Sequence, residues 1–87
     1  MDMKYLLQGE ESKERVDLLL SLTNISRETV IGAIYDNLVK GFDERDAVEL
    51  NGATQSNFNR GMSILNKVAE TVEKIKEIDW HKIKSHK

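Results

Sequence analysis

The polar side chains between residues 54 and 67 can act together, because helical spacing brings them to one side of a helix. At 100° per residue, those that follow residue 54 fall within an arc of about 140°. The arc holds amides, hydroxyls and two cations but no acid, although the chain has 15 Asp and Glu residues. These groups pair with base edges and phosphates, so the arc favours a surface that contacts nucleic acid. Its members are Gln55, Ser56, Asn59, Arg60, Ser63, Asn66 and Lys67.

The chemistry of each group suggests its role. An amide can bond bidentately to adenine, an arginine to guanine, and a hydroxyl to a base edge or a phosphate. The expected base contacts are Gln55, Ser56, Asn59 and Arg60, and the expected phosphate contacts are Thr54, Ser63 and Lys67. An ordinary solvated helix face is the competing interpretation, and the elements around the arc decide between the two.

The arc lies on the second of two helices that the sequence predicts on either side of a tight turn. Asp43 is a good N-cap for a short third helix, and Asn51-Gly52 ends that helix with the backbone freedom that a sharp turn needs. Thr54 is placed to cap a longer fourth helix, whose apolar residues recur every three or four positions until about Trp80. A short helix, a glycine turn and a longer helix form the layout of a helix-turn-helix.

Two further helices are predicted before this motif, since apolar residues recur at helical spacing and no stretch shows the alternation of a strand. Helix 1 is expected from the N-cap Ser12 to Leu22, and helix 2 from the N-cap Ser26 to the C-cap Gly41. The sequence has no proline and no internal repeat. It therefore predicts an all-α fold, a small bundle of about four helices.

Apolar residues of the four helices define the expected core. They are Val16, Leu19, Leu20, Leu22, Val30, Ile31, Ile34, Leu38, Ala47, Leu50, Phe58, Met62 and Leu65. On helix 4 the apolar stripe continues through Val72, Ile75 and Ile78, beyond the length that this core needs. Either the N-terminal residues 5–7 or a second chain must cover it, and we favour a second chain.

Length and composition bound the possible classes of protein. At 87 residues the chain is expected to be one domain, 1–87, with a core at about 12–68 and a helical extension at about 69–80. The net charge of −2 argues against nucleic acid, but residues 1–59 carry six Lys/Arg and eleven Asp/Glu, net −5, whereas residues 60–87 carry seven and four, net +3. There is no cysteine and no apolar run of the length of a signal peptide or membrane span, so we expect a cytoplasmic protein.

No set of residues has the spacing that catalysis or metal binding requires. His81 and His86 are the two histidines, and their separation of five residues does not place them on one helical face. We found no nucleophile paired with a base and no glycine-rich phosphate loop. We therefore expect neither an enzyme nor a cofactor, a metal ion or a small-molecule substrate.

The acids of helix 3 would repel a phosphate backbone unless they point away from it or are paired. They are Asp43, Glu44, Asp46 and Glu49. We expect a solvated, capping face, and the alternative is pairing with Arg27, with Arg45 or with a neighbouring protomer.

From residue 18 to about 65 the chain resembles the PapB-type regulators of bacterial fimbrial and adhesin biosynthesis. The resemblance rests on the segments 18–26 (LLLSLTNIS), 30–34 (VIGAI), 38–42 (LVKGF) and 56–59 (SNFN). After Phe42, four residues lead to Ala47 and fifteen to Phe58 without a gap. The resemblance implies a helix-turn-helix regulator of an adhesin operon, at the bacterial nucleoid, that oligomerises along A·T-rich repeats of double-stranded DNA.

Segment 52–60 is also similar to the recognition helices of phage Cro-type and plasmid KorA/TrfB repressors, in which a glycine turn precedes a polar-polar-x-apolar-polar run. Those families bind DNA as dimers, so a dimerising plasmid or phage repressor unrelated to fimbriae is one alternative. A helical protein-interaction module is another, and it would show no salt-dependent DNA binding. We expect a homodimer or a higher homo-oligomer, because a domain this small buries a limited share of its surface alone.

Overall fold

The computed structural model of the protein describes residues 5–85, with side chains as far as residue 83. Within this range it contains four α-helices and no strand, which confirms the all-α prediction. The helices are α1 (Lys13–Ser21), α2 (Glu28–Leu38), α3 (Glu44–Asn51) and α4 (Gln55–Ser85). α4 runs past the predicted end near Trp80, and His86 lies outside the described residues. None of these helices combines the length and the hydropathy that a membrane-spanning segment requires.

A side-chain cap sets the start of the first helix, as predicted, but not the start of the second. The Oγ atom of Ser12 accepts a hydrogen bond from the N–H of Arg15 at 3.1 Å and caps α1. Ser26 does not cap α2, because the helix begins one residue later than that cap would require. Its N-cap is Arg27, and no side chain accepts a hydrogen bond from its first turn.

α2 also ends earlier than predicted. Its last residue is Leu38, and Gly41, the expected C-cap, lies three residues further on with a φ of 85°. The chain has already turned back there, since the N–H of Phe42 donates to the carbonyl oxygen of Asp36 at 3.0 Å. The buried side chain of Asn37 holds this turn, because its Nδ2 donates to the carbonyl oxygen of Phe42 at 2.9 Å.

The helices enclose an apolar core. Its buried members are Leu6, Val16, Leu19, Val30, Ala33, Ile34, Leu38, Ala47, Val48, Phe58, Leu65 and Ala69. The predicted core residues that are half-buried instead are Leu20, Ile31 and Met62. Leu22 was wrongly placed in the core, because it is the C-cap residue at the end of α1 and is 63% exposed.

One core prediction on α3 was wrong. Leu50 is 67% exposed, and Val48 is buried instead. The inner face of α3 is centred between Ala47 and Val48, and Asn51 lies closer to that centre than Leu50 does. The Nδ2 of Asn51 donates to Oδ2 of Asp36 and to the carbonyl oxygen of Ala47, each at 2.8 Å, and so ties α3 to α2.

The N-terminal residues pack across α4. Leu6 is 5% exposed and joins the core, and the N–H of Tyr5 donates to Oδ1 of Asn66 at 2.9 Å. This segment therefore covers α4 around Asn66, and it does not reach the end of the apolar stripe that it was one of two candidates to cover. Further along α4, Ile75 and Ile78 remain exposed. With 31 residues, α4 is about 46 Å long, and its second half projects from the bundle along the 51 Å axis of the molecule.

Candidate DNA-binding surface

The helix-turn-helix is built by α3, a three-residue turn and the first turns of α4. Gly52 ends α3 in the left-handed conformation, with a φ of 68°, and its N–H donates to the carbonyl oxygen of Glu49 at 3.3 Å. Thr54 begins α4, because its Oγ1 accepts a hydrogen bond from the N–H of Asn57 at 3.1 Å. Both caps follow the prediction. Since a hydroxyl is both donor and acceptor, Thr54 keeps its proton available for a further bond.

The seven predicted contact residues all lie on the exposed side of the motif. On the opposite side of α4, Phe58 and Leu65 are fully buried, and Met62 is half-buried. The helix therefore fixes one face in the core and presents the other to solvent. The exposed residues are Thr54, Gln55, Ser56, Asn59, Arg60, Ser63 and Lys67.

Two amides at the start of this face are hydrogen-bonded to each other. Nε2 of Gln55 donates to Oδ1 of Asn59 at 2.9 Å and to Oε1 of Glu44 at 3.4 Å. These bonds leave Oε1 of Gln55 as an acceptor beside Nδ2 of Asn59 as a donor. Adenine offers the complementary N6–H donor and N7 acceptor in the major groove. Glu44 comes from α3, eleven residues away in the chain, so helical spacing within α4 could not predict its contact with this pair.

One member of the polar arc is committed to the fold. Asn66 is half-buried, and its Oδ1 accepts the hydrogen bond from Tyr5. The N-terminal segment therefore closes the exposed face at this position. The face that remains open to a ligand is the part nearer the N-terminus of α4 together with Ser63 and Lys67.

Most cations with described side chains are neutralised by a nearby acid. The ion pairs involve Lys13, Arg15, Lys40, Arg45, Lys74 and Lys76. The side chains of Arg27, Arg60 and Lys67 make no ion pair or hydrogen bond with any described residue. Two of these three lie on the predicted face of α4. The third, Arg27, lies outside the helix-turn-helix, and the sequence suggested it only as a partner for the acids of α3.

The acids of α3 are used in several ways. Oδ1 of Asp43 accepts a hydrogen bond from the N–H of Asp46 at 2.9 Å and caps the helix, as predicted. Glu49 pairs with Arg45 at 3.7 Å, and both side chains are exposed. The alternative pairing of these acids with Arg27 does not occur. Between residues 5 and 85 no group of three or more His, Cys, Asp or Glu is arranged to hold a metal ion.

Comparison with known proteins assigns the chain to a family. The PapB family model, described as adhesin biosynthesis transcription regulatory protein, matches residues 1–78. The fold is similar to the crystal structure of E. coli FocB, with a TM-score of 0.77 and 26% sequence identity, over 84% of this chain and 83% of the FocB chain. No curated protein sequence matches the chain. Because the family match spans most of the chain, the protein belongs to the PapB family of adhesin biosynthesis regulators, a family of transcription regulators and not of enzymes.

Proposed function

We propose that the protein is a sequence-specific DNA-binding regulator of a fimbrial or adhesin operon, and that α4 is its recognition helix. The observation that carries the proposal is the pair of uncompensated cations, Arg60 and Lys67, on an exposed face that bears no acid of its own. In a helix-turn-helix the second helix enters the major groove with its N-terminal residues against the bases. A regulator of this kind acts in the cytoplasm, at the bacterial nucleoid.

In this arrangement the first two turns of α4 contact bases. Gln55 and Asn59 together offer the acceptor and the donor that suit adenine, while Arg60 suits guanine and Ser56 suits either a base edge or a phosphate. Phosphate contacts come from the ends of the face, and we assign them to Thr54, Ser63 and Lys67.

The protein acts as an oligomer on repeated A·T-rich sites. One protomer with a net charge of −2 neutralises few phosphates, whereas specific regulators typically bind with dissociation constants of ~10⁻⁸–10⁻¹¹ M. Copies bound one helical turn apart, about 10 bp, add their contacts at high effective concentration. We infer that the chain 1–87 is one domain, in which the first half of α4 contacts DNA and the projecting half contacts a second protomer.

Two exposed apolar surfaces are available for that contact. One is the projecting half of α4, where Ile75 and Ile78 are 51% and 66% exposed. The other is a groove on α3 in which Phe42 and Leu50 lie beside Asp46.

Titration on DNA with one, two and three repeats, at several salt concentrations, tests the proposal. We expect weak binding to one repeat, cooperative binding to two or three, and affinity that falls steeply with salt. Random DNA of equal length should bind more weakly. A helical protein-interaction module would show no salt-dependent binding to any of these DNAs.

Ile78→Asp tests the oligomer separately from DNA recognition. This variant should lower cooperativity while the affinity for a single repeat stays unchanged, because Ile78 is exposed and lies far from the contact face. Ile78→Leu is the matched control, since it keeps the apolar surface, and it should bind like the parent. Equal per-site affinity on one, two and three repeats for the parent protein would exclude the oligomeric model and leave the recognition helix intact.

A further inference from the structure

A shallow groove of about 190 Å³ lies between the α1–α2 connection and the first turns of α4. The connection contributes Ser26 and Arg27 to one wall, and α4 contributes Asn57 and Arg60 to the other. The groove therefore opens directly beside the proposed recognition face. None of its lining residues is an acid.

The side chain of Arg27 makes no hydrogen bond or ion pair within the described part of the fold. Arg27 is the N-cap residue of α2, but its side chain does not cap the helix, and it makes no ion pair with any described acid. Arg15 in α1 shows the contrast, since it pairs with Glu11 at 2.6 Å and with Glu73 at 3.4 Å. A long cationic side chain without a hydrogen bond or ion pair is available to bind an anion.

Two arginines on one groove without an acid repel each other and create a positive local potential. An anion in the groove would relieve that repulsion. Arginine is well suited to a phosphate, because its guanidinium can donate two parallel hydrogen bonds. The hydroxyl of Ser26 and the amide of Asn57 add neutral donors on the same walls.

We propose that Arg27 binds a phosphate of the DNA backbone, beside the base that Arg60 contacts from the opposite wall of the groove. The DNA-contacting surface then extends beyond the helix-turn-helix to the α1–α2 connection. This inference rests on the proposed function and adds to it a contact made by a residue far from the motif in sequence. As a phosphate contact, Arg27 raises affinity for all DNA sequences and carries no sequence preference.

The test compares Arg27→Gln with Lys40→Gln. The two substitutions remove the same charge at opposite ends of α2, a helix of 11 residues that is about 16 Å long. Lys40 is already paired with Asp36 at 3.3 Å. Binding to a repeated operator and to random DNA is measured across salt, and circular dichroism confirms that each variant is folded.

We expect Arg27→Gln to make the plot of log affinity against log salt concentration shallower by about 0.9. When salt is raised from 50 mM to 200 mM, the affinity of Arg27→Gln for DNA should therefore fall about 3.5-fold less than the affinity of the parent does. The loss of affinity should be equal for operator and random DNA, Arg27→Lys should restore the slope, and Lys40→Gln should match the parent.

A parental slope in Arg27→Gln would overturn the inference, and so would a loss confined to the operator, which would make Arg27 a base contact. Both results leave the proposed function standing. If the parent itself shows no salt-dependent binding, the proposed function and this inference both fail.

Discussion

Replacement of Phe58 by alanine should unfold much of the protein, because this side chain is the centre of the buried face of α4. Phe58 is 0% exposed and is the largest fully buried side chain. Burial of an aromatic side chain removes roughly 150–250 Å² from water, which is worth roughly 4–6 kcal/mol at about 25 cal/mol per Å². Alanine retains part of that area while the remaining cavity adds a cost, so we expect the free energy of unfolding to fall by about 3–5 kcal/mol.

Urea unfolding followed by circular dichroism measures this loss. The matched control is Phe42→Ala, because the other phenylalanine of the chain is 40% exposed and its loss should cost about 1 kcal/mol or less. DNA binding of Phe58→Ala should recover at low temperature, where more of the variant is folded. A variant as stable as the parent that still fails to bind DNA would refute the assignment of Phe58 to the core and place it on the contact face.

Two further predictions address the recognition face and the helix caps. Arg60→Ala should weaken binding to the operator by about 1–3 kcal/mol with an unchanged circular-dichroism spectrum, because the side chain is exposed and makes no structural contact. Unchanged affinity in a mobility-shift titration would remove Arg60 from the site. Ser12→Ala should lower the unfolding free energy by about 1 kcal/mol through loss of the α1 cap, while Ser26→Ala, at a position that caps nothing, should stay within about 0.5 kcal/mol of the parent. An equal loss in both serine variants would contradict the observed start of α2.

The helix-turn-helix could be predicted from the sequence because its signals are local. The caps at Asp43 and Thr54 are hydrogen bonds between residues three apart in the chain, and Gly52 adopts the backbone conformation that its residue type favours. The exposed face of α4 follows from helical periodicity alone, since Phe58 and Leu65 fix which side is buried. Each of these features depends on a short stretch of chain.

Features that depend on distant neighbours could not be predicted in this way. Asn66 belongs to the polar arc by spacing, yet it bonds to Tyr5, 61 residues away in the chain. In the short helix α3, propensity and pattern favoured Leu50 as an inward residue, but the position of α2 turns Asn51 inward instead. Arg27 lies on the same groove as Arg60 only because α2 begins beside α4. No local sequence pattern predicts that the two helices lie next to each other there.

The approach of α2 to α4 also explains a residue that is otherwise unfavourable in the recognition helix. Gly61 lies inside α4, where glycine costs about 1 kcal/mol relative to alanine. An added Cβ at this position would lie 2.9 Å from Cγ1 of the buried Val30, near the start of α2. The glycine therefore allows α2 and α4 to pack closely here, and any larger residue would push the two helices apart. Since Gly61 also lines the groove with Arg27 and Arg60, the same close packing sets how far apart the two arginines lie.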